Sequence, residues 1–420
     1  MRYRHPLLLT FLSTLLLHLN LKAQDSLTFA QLEPLTYSFN IENGKMTGEG
    51  ATFLTEELSK AQFTMLGEYH GSKRISEFTE ALIPLLDQAQ YKTMVLEVGP
   101  ITGELLNTMD VETEEALKEV HEKYMLKEED GYVNTPFPFF DHTEDAAFLT
   151  AAKKRGWQIL GIDQEFYHST VMLADKMYEN LSDNLKGQHK ALHQEVVDSL
   201  NLYYVNDLKE IRKFSIVVQH SPLIKTFLDK MSATQSENAA IAEAFRASIN
   251  IYYLYATRQW FENNQTRIKY MKKQLREGLA KKNFNIHEDK LLIKMGGYHL
   301  SKGFSPLGLY EVGNTLNELA EFNGHTSLNI AFSNRFYMEN DTLVDVLVSG
   351  NKYQKRYKDF DQMGKKEEWV VIDLRPMVKG HYYRPVKYKF NKYIESFVKR
   401  YDLVVIPKTE MDPTPVYKTD

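Results

Sequence analysis

The sequence contains no cysteine. That excludes disulfides, thiolate metal sites, a cysteine nucleophile and a lipid anchor attached through an N-terminal cysteine. Such a chain rests on its core alone, and 420 residues are ample for one. Long hydrophobic runs are missing beyond the first two dozen residues, so no later segment is long enough to span a bilayer. The signatures of several enzyme classes are absent as well: there is no Gly-x-Ser-x-Gly elbow, no P-loop and no His-Glu-x-x-His zinc helix. Acids outnumber bases, for a formal charge of −5. A mildly acidic chain argues against non-specific nucleic-acid binding.

At the N-terminus, Arg2 and Arg4 precede an apolar stretch from Leu7 to Leu19, broken by Thr10, Ser13, Thr14 and His18. The stretch is too short and too interrupted for a good membrane span, and Ala23 offers a small residue for cleavage. Residues 1–24 are therefore expected to be a signal peptide. A single domain over residues 25–420 would remain, periplasmic or secreted, with no stable membrane span. The segment carries three cations and no acid, so its loss takes the formal charge from −5 to −8.

Residues 25–50 read as a loosely ordered leading segment punctuated by Gly44, Gly48 and Gly50, followed by a helix over Thr52–Lys60. From there to about 165, short apolar strands (Phe63–Leu66, Thr93–Val98, Gln158–Ile162) alternate with helices (Ile75–Gln90, Thr113–Tyr124, Thr143–Arg155). The expectation is an α/β fold with a mostly parallel central sheet flanked by helices. Residues from about 168 to 282 have almost no strand pattern, with only Gly187, Gly278 and Pro222 as breakers. They read as a helical insertion of three or four long helices. Strands return at Leu291–Met295, Ser327–Phe332, Trp369–Leu374 and Leu403–Ile406. Lys352–Asp361 reads as a surface loop or short helix.

Two matching turns stand out. Gly67-Glu68-Tyr69-His70 and Gly296-Gly297-Tyr298-His299 both read Gly-x-x-His, and each follows a core-strand pattern. Composition alone supplies about 0.6 such matches, so the shared strand context carries the signal. Glu97 ends a third strand pattern, Asp163 a fourth and Arg335 a fifth, with Arg375 after Trp369–Leu374. In an open parallel sheet, residues beyond the strand carboxyl ends converge on the ligand crevice. Histidine with carboxylate can take a proton from water, and arginine can hold a carboxylate or an oxyanion. Two histidines with a carboxylate can instead ligate a divalent ion with an open position for water. His189 and His193 lack the zinc-helix order and read as an exposed helix face. His142 follows the aromatic run Phe137–Phe140, which suits either a pocket lining or core packing. Tyr252, Tyr253 and Tyr255 read as packing.

These residues resemble the erythromycin esterase, ChaN and Tiki/TraB superfamily. Met65–Gly71, followed by Glu77-Phe78, resembles the esterase strand that runs into L-G-E-x-x-H-G and a downstream E-F. One residue fewer separates Glu68 from His70, as in the Tiki and ChaN branches. Val95-Leu96-Glu97 resembles the second strand and its glutamate, and Leu160-Gly161-Ile162-Asp163 the strand ending G-x-D. Arg267–Met271 resembles the R-x-x-x-M helix, Lys294–Lys302 the second histidine strand, and Tyr401–Ile406 the C-terminal strand. The resemblance runs in order from about 60 to 410. It implies an α/β fold with its site at the strand ends. It also implies water-mediated ester hydrolysis in the esterase branch, a metal-dependent peptidase in the Tiki branch and haem or iron binding in the ChaN branch.

The expected function is exported hydrolysis of an ester or amide bond in a small-molecule or peptide substrate. The expected catalytic residues are His70, Glu97, His299, Glu68 and Asp163. Arg335, Arg267, Tyr69 and Tyr298 are expected to bind substrate. If a divalent metal serves, His70, Glu97 and His299 are its expected ligands; the alternatives are a Tiki-like metallopeptidase and a haem-binding protein without catalysis.

Overall fold

Nine strands form one sheet in the computed structural model, which describes residues 26–127, 133–383, 388 and 390–417. In chain order they are β1 (Thr36–Glu42), β2 (Lys45–Thr47), β3 (Ala61–Glu68), β4 (Tyr91–Leu96), β5 (Gln158–Gly161), β6 (Lys290–Gly296), β7 (Thr326–Phe332), β8 (Trp369–Asp373) and β9 (Leu403–Ile406). Their order across the sheet is β2-β1-β8-β9-β7-β3-β6-β4-β5. The run from β9 to β5 is parallel throughout, while β2, β1 and β8 form an antiparallel edge. The sheet is therefore mostly parallel, as the alternation of strands and helices predicts.

Both faces of the parallel part are covered, which is why its strands read as near-continuous apolar runs. Every residue of β3 is buried. Phe63 and Met65 pack with Ile268, Met271 and Leu275 of the helix Trp260–Lys281. Leu66 faces the other way, into a cluster that includes Phe78 and Leu82 of the helix Lys73–Gln88. That alternation is the period of two of a strand. The helix Lys73–Gln88 starts where it does because Ser72 Oγ accepts from the Ile75 amide at 3.1 Å, a serine N-cap. Its buried Ile75, Phe78, Leu82 and Leu86 then recur at helical spacing.

Two expectations need correction. The leading segment is ordered: β1 pairs antiparallel with β8, and Asn43-Gly44 turns it into β2. Both turn residues have positive φ, 49° and 71°, the backbone an Asn-Gly hairpin turn requires. The helical insertion holds three long α-helices, as expected, Asp183–Leu208, Ser236–Ala256 and Trp260–Lys281, and three shorter ones besides. Ser221-Pro222 stops one short helix and opens the next. Lys352–Asp361 does contain a short helix, but Asp359, Phe360 and Asp361 are buried rather than at the surface. The expected signal peptide lies outside the described residues. Among those described, no helix is long and apolar enough to cross a membrane.

Candidate functional site

Four adjacent parallel strands, β3, β6, β4 and β5, bring their carboxyl ends to one edge of the sheet. His70, His299, Glu97 and Asp163 all follow these ends. Glu68, His70, Glu97, Arg267 and His299 line one cleft of ≈ 490 Å³ there, with Tyr69 and Tyr298 also on its wall.

Glu97 lies between the two imidazoles. His70 Nε2 is 3.8 Å from one of its oxygens, and His299 Nε2 is 3.7 Å from the other. Both separations exceed a direct hydrogen bond, and a polar gap of this length suits a bridging water. Each ring is fixed from behind by its own glutamate. His70 Nδ1 is 3.3 Å from Glu68 Oε1, and His299 Nδ1 is 3.0 Å from Glu311 Oε2. Lys294 Nζ donates to Glu68, and Ser305 Oγ donates to Glu311 at 2.9 Å. The site is thus two carboxylate-oriented histidines facing a third carboxylate.

Glu97 is itself held on both oxygens. The Gly296 amide donates to Oε2, and Arg267 Nη2 donates to Oε1 at 2.8 Å. Arg267 also grips Asp163 through Nε, at 2.9 Å, and through Nη2. Gly296 explains the tight strand exit. A Cβ there would stand 3.2 Å from both Glu97 Oε2 and His70 Nε2, pressing on both side chains.

Burial shapes the charges. It pushes the Glu97 carboxyl up, but the charges of His299, Arg267 and His70 outweigh it and leave the pKa lowered. Glu68 is likewise lowered, since Lys294 and His70 overcome its burial. For His70, burial acts downward, while the hydrogen bond to Glu68 and the charge of Glu97 act upward and prevail. Glu97 is therefore a resident anion, and His70 is more basic than a free imidazole.

The structure brings together His70, Glu68, Glu97 and His299, and reassigns others. Arg267 lines the cleft and also clamps Glu97, while Asp163 does not line the cleft and is the buried partner of Arg267. Tyr69 lines the cleft but donates its hydroxyl to Glu410 at 3.0 Å. Tyr298, 47% exposed, sits at the mouth. Arg335 is outside the cleft: it pairs with Asp345 at 3.1 Å and donates to the Gln362 and Gly364 carbonyls. Arg375 follows β8, which runs antiparallel to β9, so it emerges at the opposite edge and pairs with Asp373 and Glu57. Lys294, Glu311 and Ser305 are site residues that strand-end reasoning missed. Glu311 lies twelve residues past His299, beyond a loop, and no local pattern points to it.

His70, Glu97 and His299, the residues expected to bind a metal, do not form a set of three whose donor atoms all lie within 4.8 Å of one another, and Arg267 already places a cation on Glu97 Oε1. Among the described residues, the set of three side chains whose donor atoms lie within 4.8 Å of one another is Asp141, His142 and Asp145. Burial acts to lower the pKa of His142, but hydrogen bonds to Asp141 and Asp145 push it up to about 10. The aromatic run before it serves both expected purposes. Phe137 and Phe140 are core residues, while Phe139 stacks on His70 with centroids 3.8 Å apart. His193 is half-buried against Asp175 at 2.8 Å and stacks on Tyr178, instead of being exposed. Tyr252 and Tyr255 line a separate groove beside Arg267.

Searches of the sequence against family models and against curated proteins give no match. The fold, however, is shared with solved structures. A mutant of the erythromycin esterase EreC in its open conformation aligns over 91% of this chain and 99% of its own, with 14% identity and a TM-score of 0.53. A succinoglycan biosynthesis protein aligns over 92% and 97%, with 14% identity and a TM-score of 0.51. A Bacillus cereus protein aligns over 91% and 97%, with 13% identity and a TM-score of 0.50. The chain therefore has the erythromycin esterase fold along nearly its whole length, the fold that its ordered motifs imply.

Proposed function

We propose that this chain is a hydrolase that activates water between His70 and His299 and cleaves an ester or amide bond of a small molecule or peptide. The observation that carries this reading is the pair of imidazoles, each fixed at Nδ1 by a glutamate, each presenting Nε2 to Glu97. His70, the more exposed ring at 37% of its side chain, is the general base. It takes a proton from water as the water oxygen bonds to the substrate carbonyl. Glu97 stabilises the imidazolium that forms; His299, which enters the cycle protonated at Nε2, gives that proton to the leaving oxygen or nitrogen as its bond to carbon breaks, and the proton held by His70 passes through water to restore His299 as the products leave. The resemblance to erythromycin esterase motifs supports the ester as the first bond to try, lactones included.

A general base works when neutral, so kcat/KM will rise with pH through the raised pKa of His70. Glu97→Gln removes a charge that raises this pKa, and the acid limb of the profile will move to lower pH. The pH dependence of kcat/KM on whichever ester or amide a substrate panel identifies checks this. A limb that stays in place in the variant speaks against His70 as base. A haemin titration of the purified protein tests the haem-binding rival: a Soret shift abolished in both His70→Ala and His299→Ala, with no turnover on the panel, would favour it.

Residues 1–24 support an exported, periplasmic or secreted protein. Full-length expression followed by N-terminal sequencing of the exported fraction will read a start near Gln24 or Asp25. A mature chain that keeps Met1 and stays inside the cell contradicts it.

A further inference from the structure

A second cleft, of ≈ 320 Å³, shares Glu68 and His70 with the first and is walled by Lys294 and residues of the segment 133–142 together with Asp145 and His168. We propose that Asp141, His142 and Asp145 form a divalent-cation site on this cleft, matched to zinc, that fixes the Phe139 loop against His70. His142 Nδ1 is 3.1 Å from Asp141 Oδ1 and 3.3 Å from Asp145 Oδ2. Zinc with metal–ligand distances of ~2.0–2.1 Å separates tetrahedral ligands by roughly 3.3 Å. These two separations already match that edge, and all three donors fall within 4.8 Å of one another.

The surroundings are those of a ligand set. Ser76 Oγ donates to the other oxygen of Asp145 at 2.6 Å, leaving Oδ2 for the cation, and such outer bonds orient metal-binding carboxylates. His142 is the N-cap position of the helix Thr143–Lys153, and the Asp145 amide donates to the His142 carbonyl at 3.1 Å. Two residues are thereby fixed by one helical turn. The C-terminal segment clamps the third: the Val416 amide donates to the Asp141 carbonyl at 3.0 Å, and the Thr143 amide to the Thr414 carbonyl at 2.8 Å. Lys294, which lines the same cleft, is already paired with Glu68.

A separate observation points to a missing ligand. His168 lines this cleft, is 6% exposed, and its Nδ1 has no hydrogen-bond partner. Three protein ligands leave a fourth position for water. The consequence for the first cleft runs through Phe139. It lies three residues before His142, holds a positive φ of 66° and stacks on His70. A cation at Asp141–Asp145 ties down the loop that carries it. The site does not require His70 to be catalytic.

The test uses the untagged full chain after dialysis against a chelator. Isothermal titration with zinc, without substrate, will show one saturable site per chain. His142→Ala will weaken it by about 100-fold or more and Ser76→Ala by about 10-fold. His193→Ala, which removes the separate histidine–aspartate contact, will leave it unchanged. If His142→Ala does not fold, Asp141→Asn keeps the side-chain volume and is expected to weaken zinc comparably. Absence of zinc binding in the stripped wild type overturns the proposal. So does equal binding in folded His142→Ala and Asp141→Asn, which would make the trio an ion pair only.

Discussion

Replacing His70 with alanine will lower kcat/KM by about 10²–10⁴-fold, the usual contribution of a positioned general base, without unfolding the chain. The ring is partly exposed and packs against Phe139 rather than inside the main core. Its loss removes the proton acceptor and leaves Glu97 facing solvent water directly. Glu97 cannot take over, because its lowered pKa makes it a weak base and its oxygens are occupied by Gly296 and Arg267. Glu68 will keep its Lys294 partner, so a thermal midpoint close to wild type should accompany the loss of turnover. Unchanged turnover in the folded variant would remove His70 from the mechanism.

Arg267→Met will have the largest effect on stability. Glu97 and Asp163 are buried, with side chains 4% and 5% exposed, and Arg267 binds both. Removing the shared cation leaves two carboxylates confined together in a poorly solvated site. Breaking a buried pair in this way costs about 3–5 kcal/mol. Arg267→Lys recovers only part of this, because an ammonium cannot reproduce the fork that reaches both acids. Urea denaturation of both variants checks it. A midpoint within the error of wild type for Arg267→Met would show that the pair is solvated and that Glu97 is held by other contacts.

The parallel sheet was legible because strands covered on both faces must be apolar nearly throughout, as Phe63–Leu66 and Leu291–Met295 are. Strand ends then located His70, Glu97, His299 and Asp163, since a parallel sheet collects them at one edge. The same rule misplaced Arg375, because nothing local in Trp369–Leu374 reveals that β8 runs the other way. It misplaced Arg335 too, whose charge is taken by Asp345 across the small hairpin of Phe336–Glu339 and Thr342–Asp345. Lys294 sits inside the strand pattern Leu291–Met295, where nothing local marks it as a site residue. Its role depends on β6 lying beside β3, where Lys294 pairs in register with Leu66 and reaches Glu68. Arg267 was legible as a residue near the site but not as the clamp of Glu97. That depends on how the helix Trp260–Lys281 crosses the sheet, which its own sequence does not record.

The central claim is that two imidazoles act on one water beside Glu97. It is tested most directly by kcat/KM for His70→Ala, His299→Ala and the double variant on one substrate. Groups that act as a unit are strongly non-additive. Each single variant will lose at least about 100-fold, and the double variant will be little worse than the poorer single one. Full turnover in both single variants, or losses that multiply in the double variant, would contradict it.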